Sequence, residues 1–176
     1  DEIPNLKNFN FEEIKKNIIV FKQKMFYYKL NLFYKEFIWN GTKACLKNKL
    51  KSPQWLRNIK AKNYSFWRAD VFFSNKKYIN LKFINNGGWH FTNIKTPEEI
   101  FSKMNTFLHN VDFKLSGLSL NDIKQMVSEK KILYDHFADQ RKINRWDSSV
   151  VLDPINISFM PEYVRNNKEK FKNWLE

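Results

Sequence analysis

Two short segments of this chain carry residue types suited to binding chemistry. The chain opens Asp1-Glu2-Ile3-Pro4, and Gly87-Gly88-Trp89-His90-Phe91 lies at its middle. The first offers carboxylate oxygens, which hard divalent cations take; Mg2+ or Mn2+ commonly bridges such groups to a substrate's phosphates. The same two acids also read as a solvated turn. The second segment offers an imidazole able to ligate a metal or exchange a proton and an indole able to stack. Its glycines let backbone approach a ligand closely. His90 equally reads as a structural histidine, and Trp89 as a core residue. Glu98 and Glu99 fall in the first turn of a helix, where acids satisfy the dipole; one of them could also deprotonate an acceptor hydroxyl. His109 and Asp112, three apart, read as structural, with an acceptor site as the alternative.

Other chemistries lack their signatures. The chain has no G-x-G-x-x-G or P-loop motif, no G-x-S-x-G elbow and no H-E-x-x-H pair. Cys45 is the only cysteine, so there is neither an internal disulfide nor a Cys-based zinc site, and it reads as a packed thiol. A net charge of +13 invites phosphates, nucleic acids or anionic membranes. Only five of the 31 basic residues are Arg, and the Lys are scattered. Base readers prefer the Arg fork, so nucleic-acid binding is disfavoured. No apolar run reaches transmembrane length, and residues 1–20 show no cleavable signal.

The elements that would position these residues are punctuated by few Gly and Pro. Residues 1–10 read as a loop leaving an upstream strand. Phe11 to Lys24 reads as an amphipathic helix, because Phe11, Ile14, Ile18 and Phe21 share a face. Met25 to Ile38 reads as a strand or hairpin, Asn40-Gly41 as a turn, and 44–50 as a weaker strand. Pro53 to Ile59 reads as a loop or a single helical turn. Tyr64 to Phe73 and Tyr78 to Ile84 read as strands, and Asn85 to Gly88 as a loop that leads into His90. Thr96, Pro97 and Glu99 mark a helix start with a capping box, with Ile100, Met104, Phe107 and Leu108 as its buried stripe. Ser119 and Asp122 cap a helix to about Lys131, residues 144–160 are irregular, and Pro161 opens a last helix. The expectation is a single α/β domain over 1–176, with a mixed or antiparallel sheet and flanking helices.

In their order and spacing, these motifs resemble glycosyltransferase family 17, the β-1,4-mannosyl-glycoprotein N-acetylglucosaminyltransferase-like proteins. Asp1-Glu2-Ile3-Pro4 is similar to the end of the family's D-x-D-E-I-P segment. Phe26-Tyr27-Tyr28-Lys29 is similar to its aromatic strand. Gly88-Trp89-His90-Phe91 followed by Pro97-Glu98-Glu99-Ile100 is similar to its Gly-Trp-His and Pro-Glu-x-Ile pair. Pro161-Glu162-Tyr163-Val164-Arg165-Asn166-Asn167 is similar to its closing helix.

The resemblance implies the C-terminal part of a GT-A-like, inverting glycosyltransferase. The N-terminal nucleotide-binding half would lie upstream, and this stretch alone would have little activity. It implies UDP-N-acetylglucosamine or a related UDP-sugar as donor, Mn2+ or Mg2+ as cofactor and a glycan acceptor. Asp1 would touch the metal, His90 would sit near the diphosphate as a ligand or acid–base group, Glu2 would support the site or touch the donor sugar, and Gly87, Gly88 and Trp89 would contact the donor. Glu98 is the choice for general base. The expected location is the cytoplasm, with the membrane face and a peripheral membrane association left open. The alternative is a non-catalytic carbohydrate- or anion-binding module using Trp89 and the Lys-rich surface.

Overall fold

The computed structural model describes residues 1–176 apart from residue 8 and residues 108–109, 139–143 and 147–148. It is a mixed α/β fold. Strands β1 (Glu2–Pro4), β2 (Ile18–Tyr27), β3 (Leu32–Ala44), β4 (Leu81–Ile84), β5 (Gly88–Thr92) and β6 (Asp153–Pro154) form one sheet in the order β1-β5-β2-β3-β6. β4 pairs with β2 in parallel, while β1–β5 and β3–β6 are antiparallel. The described helices are α1 (Glu13–Lys16), α2 (Pro53–Asn58), α3 (Ala69–Phe72), α4 (Pro97–Thr106), α5 (Asn110–Ser116), α6 (Leu120–Ser128), α7 (Glu162–Asn166) and α8 (Lys168–Phe171). Among the described residues no helix is long and apolar enough to cross a membrane. The chain forms two compact units, residues 1–24 with 38–90 and residues 25–37 with 91–176.

In the first unit the expected helix over Phe11–Lys24 is confined to α1, and Ile18 onward is strand. The reason is burial on both faces. Ile18 packs with Ile59 and Leu81, whereas Ile19 and Phe21 pack with Ile84 on the other side. Such period-two packing makes a central strand, and two covered faces make it read as a continuous apolar run rather than an alternating one. Positions 14, 18 and 21 therefore mimic helical spacing by coincidence, and Phe11 is exposed. The expected turn at Asn40-Gly41 lies inside β3, and the expected strand over 44–50 is loop with a 3-10 turn at Lys47–Lys49. The expected strand over Tyr64–Phe73 is irregular chain with α3, because its Phe66, Trp67, Phe72 and Phe73 have no face to bury and stand exposed. Where Pro53–Ile59 read as a loop or a single helical turn there is a short helix, Pro53–Asn58, and the strand expected over Tyr78–Ile84 forms only at Leu81–Ile84.

In the second unit the core gathers Tyr28, Leu32 and Tyr34 with Ile100 of α4, Phe113 of α5 and Ile123 of α6. Both capping boxes form as their sequences require. The Thr96 hydroxyl accepts from the Glu99 N–H and Glu99 answers to the Thr96 N–H; Ser119 and Asp122 repeat the pattern on α6. Of the α4 stripe, Ile100 is buried and Phe107 is exposed, and Leu108 lies outside the described residues. α6 stops at Ser128, and the left-handed Lys130 lets the Lys131 N–H reach back to the Met126 carbonyl.

Two buried phenols make the second unit sensitive to alkali. Burial pushes the Tyr27 and Tyr28 pKa values well above the usual phenol value. Below about pH 10 both are neutral in the folded and unfolded chain alike. Above it the unfolded chain ionises first, so stability falls as pH rises from the unfolded value towards the folded ones. The expected loss is up to about 1.4 kcal/mol per pH unit per tyrosine. Urea midpoints should be flat just below pH 10 and drop above it, with a shallower drop in Tyr28→Phe. An unchanged slope in that variant would count against the assignment.

Candidate functional site

The first unit brings two adjacent acids, Asp1 and Glu2, together with a sequence-distant histidine, His90. β1 lies antiparallel to β5 with Glu2 opposite His90, Ile3 opposite Trp89 and Pro4 opposite Gly88. Glu2 therefore belongs to a paired strand, with Asp1 just before it, rather than to a free loop, and His90 stands on a strand. Residues directly opposite share one face of a sheet, so the Glu2 and His90 side chains meet. The glycines make the pairing fit. Gly88 has φ +128°, and a Cβ there would lie 2.0 Å from the Ile3 carbonyl oxygen. A Cβ on Gly87 would lie 2.9 Å from the Phe21 Cβ, and its N–H donates to the Lys22 carbonyl. The close backbone approach signalled by these glycines is thus to neighbouring strands.

Around Glu2 the polar contacts form a chain. One carboxylate oxygen accepts the Trp39 indole N–H at 2.7 Å, and the other accepts the Thr42 hydroxyl at 3.1 Å. Gln23, fully buried on β2, donates through Nε2 to Thr42 Oγ1 at 3.2 Å. The His90 ring stacks on Trp39, with centroids 4.7 Å apart and planes at 26°. Its Nδ1 lies 3.7 Å from Glu2 Oε1, close for a charge but too long for a hydrogen bond. Lys43 donates to the Arg57 and Ile59 carbonyls, both at 2.7 Å. Partial burial lowers the pKa of Lys43, an effect opposed by the nearby Glu2 carboxylate. A cavity of about 810 Å3 opens over this network, lined among others by Asp1, Glu2, Trp39, Lys43, Arg57 and His90.

The remaining sequence candidates lie elsewhere. Trp89 points from the opposite face of β5 to His90 and is not on the cavity wall. Glu98 belongs to the second unit, where it is exposed and paired with Lys124 at 2.9 Å. That hydrogen bond lowers its pKa, away from the near-neutral value that suits a general base. His109 lies outside the described residues. Asp112 is exposed at the rim of a second cavity, of about 530 Å3, wholly within the second unit. There Tyr27 and His136 share a hydrogen bond of 2.7 Å, Arg145 reaches the Tyr134 hydroxyl at 3.2 Å, and Lys103 reaches the Asn93 amide oxygen at 2.8 Å.

Trp39, Thr42, Lys43, Arg57 and Gln23 escaped the sequence reading. The one available signal was Gln23, a polar side chain in the middle of an apolar strand, since a buried amide needs partners.

A metal held by protein alone does not fit here. Among the described residues no three His, Cys, Asp or Glu side chains gather into a ligand set. Both Glu2 oxygens already accept hydrogen bonds, which leaves the exposed Asp1 carboxylate as the open oxygen donor. One or two carboxylates with substrate phosphates suffice for Mg2+, so a substrate-bridged ion does fit. In comparisons with known proteins the chain matches no family model, no curated protein and no solved structure.

Proposed function

We propose that this chain carries the donor-side site of an inverting, metal-assisted glycosyltransferase that moves a sugar, N-acetylglucosamine first among candidates, from a UDP-sugar to a glycan acceptor. The observation that supports this reading best is the sharing of one polar cavity by Asp1, Glu2 and His90 with Lys43 and Arg57. A sugar nucleotide presents a diphosphate, a ring and hydroxyls. Lys43 and Arg57 are cations for the diphosphate, and Trp39 with its stacked His90 is a rigid aromatic wall. Asp1 would hold a Mn2+ or Mg2+ ion that, when bound with the donor, offsets the diphosphate charge. Glu2 acts on its neighbours, holding Trp39 and Thr42 in place. The reaction is one in-line displacement. The acceptor oxygen forms the new bond to the anomeric carbon and gives up its proton to a base, while UDP leaves with the electron pair of the broken carbon–oxygen bond.

A second reading draws on the other cavity. Its aromatic floor and mixed polar rim suit a saccharide held without turnover, as in a carbohydrate-binding module. The two are separated by UDP release by the protein, across a panel of UDP-sugars with and without Mn2+. The expected result is metal-dependent release that falls about 100-fold or more in His90→Ala. A folded protein that releases no UDP from any donor, yet binds free oligosaccharide, would transfer the assignment to the binding module.

A further inference from the structure

The stretch from Lys60 to Lys77 in the first unit exposes more aromatic surface than any stability argument requires. Its ends are tied by the Lys60 N–H donating to the Lys76 carbonyl at 2.8 Å, and Val71 is buried as its anchor. Between them Phe66, Trp67, Phe72 and Phe73 stand in solvent, Trp67 81% exposed and Phe73 92%. The Phe66 and Trp67 rings lie against each other, with centroids 4.1 Å apart. Large apolar side chains gathered on a surface mark an interaction site. Exposures this high belong to side chains that project from a convex tip; a groove would cover them.

The charges around the tip identify the partner. Lys60, Lys62, Arg68, Lys76 and Lys77 lie in the same stretch as the aromatics, and Asp70 is its one acid. Arg68 and Lys77 both pair with Asp70, whose carboxyl they hold well below the usual range. Among the described residues Lys60, Lys62 and Lys76 have no ion-pair partner, so the tip keeps a net positive charge. Trp is favoured at the bilayer interface, Phe buries there, and Lys is attracted to anionic headgroups. A single-stranded nucleic acid would call for a groove, which projecting rings do not provide.

We propose that the loop 60–77 is a membrane-docking surface that sets Trp67, Phe72 and Phe73 into the interface of an anionic bilayer, with Lys60, Lys62 and Lys76 over the headgroups. This assignment is independent of the transferase reading.

The test is co-sedimentation of the protein with phosphatidylcholine vesicles containing about 30 mol% phosphatidylglycerol, against pure phosphatidylcholine. Expected are binding to the anionic vesicles with a blue shift in Trp fluorescence, and weakening at high salt. The blue shift should be lost in Trp67→Phe while sedimentation persists. Phe72→Ser and Phe73→Ser should each weaken partitioning about tenfold. Lys60→Gln, Lys62→Gln and Lys76→Gln should each weaken it about fivefold. All these side chains are on the surface, so circular dichroism should be unchanged. Three outcomes would overturn the proposal: equal sedimentation with neutral vesicles or none with either, binding to single-stranded RNA but not vesicles, or a vesicle-free dimer that Phe72→Ser with Phe73→Ser dissociates.

Discussion

Gly88→Ala is expected to cost about 3 kcal/mol or more and to release β1 from the sheet. Two independent effects add at this residue. Its φ of +128° is one that L side chains rarely adopt, and a Cβ would meet backbone on every side, 2.0 Å from the Ile3 oxygen, 2.8 Å from the Asn5 nitrogen and 3.0 Å from the Pro4 Cα. Backbone cannot swing away as a side chain can, so β1 must yield. Asp1 and Glu2 then leave the cavity that holds His90. Gly117→Ala is the control, because Gly117 also has a positive φ, +71°, but nothing lies within 4 Å of its added Cβ. That change should cost about 1 kcal/mol, from backbone strain alone. Denaturant midpoints give both costs, and hydrogen exchange at residues 2–4 reports the loss of pairing. Similar costs for the two variants would show that the β1–β5 approach is looser than described.

Neighbouring acids should separate into two phenotypes. Glu2→Gln replaces an acceptor oxygen by an amide donor facing either the Trp39 N–H or the Thr42 hydroxyl, and so leaves a part-buried donor without its acceptor. The expected cost is about 2–3 kcal/mol of stability. Asp1→Asn touches an exposed side chain, so the unfolding midpoint should not move. On the transferase reading it should lower metal-dependent UDP release by about 100-fold to 1000-fold. Both variants are measured for stability and turnover. If Asp1→Asn destabilises the fold while Glu2→Gln leaves it intact, the roles given to the two carboxylates are wrong.

Local signals were the ones the chain made plain. A capping box is completed within four residues, so Thr96-Pro97-Glu98-Glu99 and Ser119 to Asp122 could be read directly and formed as read. The central strand from Ile18 could not, because covering both its faces removes the alternation that distinguishes strand from helix. Gly87-Gly88 announced a close backbone approach, but nothing local says whether strand or ligand approaches. Asn40-Gly41 resembled a turn because the requirement at Gly41 is tertiary: a Cβ there would lie 1.9 Å from Gln23 Oε1. The network joining Glu2 to Trp39 and Thr42 spans about forty residues of chain, beyond any periodicity. The meeting of Glu2 with His90 was expected only from a resemblance in motif order to a transferase family, not from any local signal.

The allotment of the chain between its two units has a practical consequence. β2 and β3 each begin in one unit and finish in the other, the first changing after Lys24 and the second after Phe37. A cut after His90 keeps the whole first unit on one piece but strands residues 25–37 there with it, so no single scission yields the second core intact. Chimeras made by swapping one unit between proteins therefore need three junctions inside strands, after Lys24 in β2, Phe37 in β3 and His90 in β5, where backbone hydrogen bonds are continuous. For recombination the two units are one cassette, and crossover points belong outside both or in loops away from β2, β3 and β5.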